Sequence, residues 1–376
     1  MTWSWKLARI AGIDVHVHVT FLMLIGWIAM SHWSEGHDLA AVIQGVGYIL
    51  ALFGCVVAHE FGHALTARHY GIRTRDITLL PIGGLARLER MPDKPREELW
   101  VALAGPAVNV VIASAIYAWL QATGQWQPLQ ATTVATGAFL ERVLLANVTL
   151  VVFNLLPAFP MDGGRALRAI LATRMDYTSA TERAAAIGQG LAVLFGFVGL
   201  FLNPMLLFIA LFVWIGAGQE ASMVQMKSAL AGIPVRRAMV TDVLTLTPLS
   251  SLGNAADLLL TSSQVDFPVV EGRHAVGMLT RADLIAALTQ HGRDAAVARA
   301  MRHDVPRADP SEMLEGALAR LQGLDGRSVV VEDDGALVGL VTMDNVGEFL
   351  MIHAAEASHR RGGAHRPGPS APRRAG

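Results

Sequence analysis

Six apolar stretches, at about 14–33, 41–67, 97–120, 133–157, 182–202 and 204–220, fill most of the first 220 residues of this 376-residue chain. Each is near the ~20 residues that a helix needs to cross the hydrocarbon core of a bilayer. Backbone in that core has no water to bond, so a spanning segment must satisfy its own amides and carbonyls, as a helix does. The first half is therefore expected to be a polytopic α-helical membrane protein of about six transmembrane helices. Composition agrees, since 53% hydrophobic and 16% charged residues exclude an ordinary soluble enzyme over much of the length. Residues 235–352, by contrast, have normal globular content. No cleavable signal peptide is expected, because the stretch Val15–Trp33 after Lys6 and Arg9 is long enough to span and lacks a small-residue cleavage site.

Charge sets the expected orientation. Cations cluster before the first stretch (Lys6, Arg9), after the second (Arg68, Arg73, Arg75, Arg87, Arg90, Lys94, Arg96) and after the fourth (Arg165, Arg168, Arg174, Arg183). The alternate segments, Ser34–Ala40 and Gln121–Thr132, have none. By the positive-inside rule both termini are cytoplasmic. A net charge of −1 argues against a nucleic-acid partner. The lone Cys55 allows no intrachain disulfide and reads as a packing residue.

Two polar strings interrupt the apolar background, His59-Glu-Phe-Gly-His63 and Asn154-Leu-Leu-Pro-Ala-Phe-Pro-Met-Asp162-Gly-Gly-Arg165. Residues this polar are costly in a bilayer and are functional there by default. On a helix, His59 and His63 differ by about 40° and can reach one ion, with Glu60 beside them as general base. A catalytic zinc site takes three protein ligands. His69 would lie about 15 Å along the same helix from His59 and is rejected as the third. Asp162 is the better choice, although an Asp at this point could equally cap the helix that follows. Asn154 could donate to a developing oxyanion or hold an extended substrate, or simply bond between helices. Between the second and third stretches, the β-branched residues and Gly83-Gly84 within 72–90 suggest a short hairpin or re-entrant strand.

HEFGHALTARHYG, the AGPAVN string at 104–109 and NLLPAFPMDGGR, in that order, resemble the site-2 protease family of intramembrane zinc metalloproteases. The resemblance implies one zinc ion per chain held by His59, His63 and Asp162, with Glu60 as catalytic acid/base and Asn154 beside the reacting carbonyl. It implies a structural or substrate-side role for Asn109. His16 and His18 match a histidine-bearing motif of the family's first span. The implied activity is hydrolysis of peptide bonds in or near transmembrane segments of membrane-tethered regulators, with the bilayer as surroundings and a prokaryotic plasma membrane as setting.

Residues 235–290 and 297–352 repeat without a gap at an offset of 62: Val235, Arg237, Ala238, Met239, Asp242 and Val243 recur as Val297, Arg299, Ala300, Met301, Asp304 and Val305. The pair resembles tandem cystathionine-β-synthase (CBS) domains of α+β fold. GMLTRADL at 277–284 matches that family's nucleotide-contact motif, which implies an adenine nucleotide near Thr280 and Asp283. The second copy keeps Thr342 but has Asn345 in place of the aspartate. Such pairs also dimerise, which makes a homodimer one expected partner state. The expected layout is a protease domain over 1–220, a linker over 221–234, the two CBS domains, and a disordered basic tail over 353–376. The competing readings are a CBS-gated transporter and a non-catalytic membrane partner with a structural metal. Glu60 within HExxH favours the protease.

Overall fold

The computed structural model describes residues 3–34, 38–81, 83–92, 94–126, 137–321 and 328–363, which divide into two compact units, Met1–Gln225 and Met226–Gly376. The first unit opens with strands β1 (Ser4–Ile10) and β2 (Ile13–His18), then helices α1 (Val19–Ser34) and α2 (Leu39–His69). Strands β3 (Thr74–Leu80) and β4 (Gly83–Leu88) follow, and then α3 (Pro95–Ala122), α4 (Phe139–Asn154), α5 (Asp162–Ala172), α6 (Tyr177–Phe201) and α7 (Met205–Leu230). Among the described residues, four helices are long and apolar enough to cross a membrane: α2, α3, α6 and α7. The apolar helices α1 and α4 have 16 residues each. The start of the fourth expected span, and half of the uncharged segment before it, fall at 127–136, outside the described residues.

The first expected span needs correction. Its residues up to His18 are strand, because Ile13, Val15 and Val17 turn inward and alternate with half-buried Asp14, His16 and His18. That period of two outweighs the length of the apolar run. His16 and His18 therefore belong to a strand and not to a transmembrane helix.

The four strands form one sheet in the order β1-β2-β3-β4. β2 and β3 run parallel from Asp14↔Asp76 to Val17↔Leu79. Parallel neighbours need a long crossover, which α1 and α2 supply. The hairpin expected within 72–90 is present, with β3 and β4 paired antiparallel from Thr74↔Leu88 to Leu80↔Gly83. One face of the sheet packs on the helices, where Val17 and Leu79 meet Phe21 and Phe53, and Ile13 and Ile77 meet Ala64. β4 is left as an edge strand.

Helix starts are fixed locally by Asp38, which accepts from Ala41 N at 2.9 Å, and Asp176, which accepts from Ser179 N at 2.8 Å. The turn of α5 is locked from inside. Arg168 is fully buried and donates to Glu98 Oε1 of α3 (2.8 and 2.5 Å) and to Glu220 Oε1 of α7 (2.5 Å). Its guanidinium also lies 5.1 Å from the Phe159 ring centre and 4.9 Å from that of Tyr177. This buried cation ties three helices to the one that begins at Asp162.

The second unit holds the repeat. Its first copy contains α8 (Leu252–Thr261), the antiparallel strands β5 (Asp266–Glu271) and β6 (His274–Thr280), and α9 (Arg281–His291). The second contains β7 (Arg307–Ala308), α10 (Leu314–Ala319), β8 (Ser328–Asp333), β9 (Ala336–Thr342) and α11 (Met343–Gly363). Each copy has its own core, around Phe267, Val269 and Leu279 in one and Val329, Val331 and Val341 in the other. Ala275 and Met278 of the first copy pack on Val330 and Leu340 of the second. Ser328 donates to Asp266 Oδ2 at 2.7 Å, so equivalent positions of the two copies meet. Helix α7 runs to Leu230, through most of the stretch read as a linker. Helix α11 reaches Gly363, over the first part of the expected tail, and residues 364–376 lie outside the described residues.

Candidate metal and proteolytic site

His59 and His63 lie one turn apart on α2, both buried, and α5 brings Asp162 to them from about a hundred residues away. Asp162 Oδ2 is 3.2 Å from Nε2 of each histidine, and the two Nε2 atoms are 3.0 Å apart. Among the described residues these three form the one group of His, Cys, Asp or Glu side chains close enough to share an ion. Atoms at this spacing ring a point about 2 Å from each, the length of a zinc–nitrogen or zinc–oxygen bond.

Proton placement supports the same conclusion. His63 Nδ1 is 2.7 Å from the Val101 carbonyl, which can only accept, so this nitrogen carries the proton and Nε2 offers a lone pair. His59 Nδ1 is 2.5 Å from Asn109 Oδ1, which orients that ring likewise. Two lone pairs and a carboxylate oxygen then converge within about 3 Å, a repulsive cluster unless a cation sits between them. The donor set of two imidazoles and one carboxylate is one that zinc accepts.

Asp162 is not a helix cap. The N-cap of α5 is Met161, and the carboxylate turns away from the helix start toward the histidines. Gly163 and Gly164 permit this, because a Cβ on Gly163 would lie 2.2 Å from the Leu156 carbonyl and one on Gly164 2.5 Å from Phe159 N. Gly105, in the AGPAVN string, brings α3 against the histidines: a Cβ there would fall 2.2 Å from His63 Nε2.

Glu60 follows His59 on α2 and is half-buried. The backbone of β4 passes directly over it, since a Cβ on Gly84 would lie 2.7 Å from Glu60 Cγ. Glu60 and His63 also border a cavity of about 30 Å³, room for a water, together with Glu98 and Arg165. Asn154 ends α4, half-buried, eight residues before Asp162. His69 ends α2, exposed, with its ring against Tyr70.

Comparison with known proteins decides the family. A zinc metalloprotease of Methanocaldococcus jannaschii is 32% identical over 354 residues, which is 94% of this chain and 97% of that protein. The chain belongs to peptidase family M50. The model of that family matches residues 47–135 and 125–197, and the CBS domain model matches 235–290 and 297–351. The Mycobacterium tuberculosis protein Rip3 is 30% identical over 92% of this chain and 93% of its own length. Among solved structures, the site-2 protease from M. jannaschii is 35% identical and covers 58% of this chain and 95% of its own, with a TM-score of 0.42. This M50 peptidase is an integral membrane zinc metalloprotease of the site-2 type with a tandem CBS pair.

In the CBS pair, Thr280 is the N-cap of α9; it accepts from Asp283 N at 3.2 Å and donates to Asp283 Oδ2 at 2.6 Å. Thr342 repeats the arrangement with Asn345. Asp283 is also gripped by Arg302 through two bonds of 2.6 and 2.9 Å. Burial works against ionisation of Asp283, but the hydrogen bonds from Arg302 and Thr280 and the Arg302 charge outweigh it and hold the carboxyl below the ordinary range. Arg302 did not emerge from the repeat pattern, because its counterpart in the first copy is Val240.

Proposed function

We propose that His59, His63 and Asp162 hold the zinc, that Glu60 is the general acid/base, and that Asn154 holds the substrate backbone beside the scissile bond. The observation that carries this reading is the convergence of three buried ligand atoms within 4.8 Å of one another beside Glu60, on helices of an apolar unit. Bound zinc would supply Lewis-acid polarisation of the peptide carbonyl and of the attacking water. Glu60 takes the proton of that water and returns it to the leaving amine. Its place under β4 and beside the small cavity gives it room for a water on one side and a strand on the other.

A transmembrane substrate must unwind before an amide can be cut. The edge strand β4 offers unpaired backbone groups to such a segment, which would add as a fifth strand with its backbone beside Glu60. Leu85, on that edge, is the position to test, because Leu79 lies on the interior strand β3 and is buried. Leu85→Pro should impair cleavage and leave zinc in place; unchanged turnover would sink this docking mode.

The topology that fits the charge pattern has both termini in the cytoplasm, in a prokaryotic plasma membrane. The proposed layout keeps the protease domain to about residue 220, with 221–234 joining it to CBS domains at 235–290 and 297–352. An adenine nucleotide at Thr280, Asp283 and Thr342 would modulate cleavage, and the CBS pair would also mediate a homodimer; the substrates would be membrane-tethered regulatory proteins.

Metal analysis separates ligands from acid/base. His59→Ala, His63→Ala and Asp162→Ala should each purify without zinc, whereas Glu60→Gln should retain one ion per chain. Full zinc in any of the first three would remove that residue from the ligand set.

A further inference from the structure

A line of buried amides runs away from the metal site through the membrane helices. His59 Nδ1 meets Asn109 Oδ1 of α3 at 2.5 Å, Asn109 Nδ2 meets Asn147 Oδ1 of α4 at 2.8 Å, and Asn147 Nδ2 meets the Val143 carbonyl at 2.8 Å and Cys55 Sγ at 3.3 Å. Asn109 and Asn147 are both fully buried. The direction of every bond follows from the last one. The Val143 carbonyl can only accept, so the Asn147 amide nitrogen must face it. The Asn147 oxygen then faces Asn109, which must present its own nitrogen. That leaves the Asn109 oxygen toward His59, so His59 Nδ1 carries the proton and Nε2 keeps its lone pair for the ion.

From this chain of bonds we infer that Asn147 is a positioning residue of the metal site: it fixes the amide of Asn109 and through it the tautomer and ring orientation of His59. It touches neither metal nor substrate. An Asn109 free to flip could offer its amide nitrogen to His59 instead. His59 would then have to place its proton on Nε2, where it competes with the ion. Asn147 and Asn154 lie seven residues apart on α4, only about 20° apart around the helix, so one stripe of that helix carries both polar contributions. The inference rests on the ligand set proposed above.

Zinc affinity, measured by chelator competition on the full-length protein in detergent, tests it. Loss of a partner behind a ligating histidine costs about 10- to 100-fold in metal affinity. Asn147→Leu should fall in that range, and Asn109→Leu should fall at least as far. Because Asn147 acts only through Asn109, adding Asn147→Leu to Asn109→Leu should cost nothing further. A packing role for Asn147 would instead make the two losses multiply. Where Asn147→Leu fails to fold, Asn147→Ala removes the oxygen that accepts from Asn109 without adding bulk, and should weaken zinc in the same range. Wild-type affinity in the variant that folds, or multiplying losses in the double variant, would overturn the inference. If His59→Ala itself binds zinc like wild type, the ligand set has failed instead, and the two failures are thereby told apart.

Discussion

Replacing Gly105 by alanine drives a methyl group into the two imidazoles of the proposed ligand set. The added carbon would stand 2.2 Å from His63 Nε2 and 2.6 Å from His59 Nε2, where ordinary contact begins at 3.4 Å. Either α3 or the rings must therefore give by about 1.2 Å, whereas metal–ligand distances tolerate only about 0.2 Å. The rings cannot swing freely, because His63 is tied to the Val101 carbonyl on the same α3 and His59 to Asn109. Misplacement of about 1 Å is worth about 100-fold in catalysis. We expect zinc affinity to fall by at least about 100-fold, or about 2.8 kcal/mol at 1.4 kcal/mol per tenfold, and turnover to fall with it. Chelator competition in detergent reads the first and cleavage of a single-span substrate the second. Gly54→Ala on α2 is the control, since a Cβ there meets nothing within 4 Å and should leave both unchanged. Wild-type zinc affinity in Gly105→Ala would refute the packing argument and the site geometry with it.

Three further outcomes follow from the same contacts. Arg168→Ala strands the buried Glu98 carboxylate, whose Oε2 already lacks a partner, and should cost about 3–5 kcal/mol in detergent unfolding. Adding Glu98→Leu should recover part of that loss, and no recovery would exclude the stranded charge as its cause. The Asp283–Arg302 pair is partly exposed and should contribute roughly 1 kcal/mol or less. Because the Asp283 carboxyl is held below its ordinary range, this contribution is complete above about pH 4 and is lost as pH falls through the depressed value. The melting difference between wild type and Arg302→Met should therefore be present at pH 7 and shrink toward pH 3; a constant difference would assign it to packing.

The cluster of His59, His63 and Asp162, the proposed ligand set, was legible in the sequence because chelation imposes a spacing. His59 and His63 had to share a helix face, and Asp162 stood in a string whose prolines and glycines mark irregular backbone. The structure adds why that string is built so, since Gly163 and Gly164 let the preceding loop fold back onto the start of α5. The strand β2 was hidden by its neighbour: Ile13, Val15 and Val17 alternate correctly, but α1 follows without a break and the whole run scores as one apolar span. Asn147 left no local signal at all, because a single amide in an apolar helix has no period and its partners on other helices lie 38 and 92 residues away. Arg168 misled in the opposite sense. It was counted among the loop cations that set orientation, yet it is fully buried between two carboxylates, so its charge is spent inside the fold.

The central claim is that this site cuts peptide bonds with Glu60 as the proton carrier, and one comparison tests it most directly. Purified full-length wild type and Glu60→Gln, both in detergent, would be given a panel of single-span membrane proteins, with zinc content measured in each preparation. The account predicts cleavage by wild type alone, with one zinc per chain in both. Cleavage by Glu60→Gln at the wild-type rate, or wild type that holds no zinc, would contradict it.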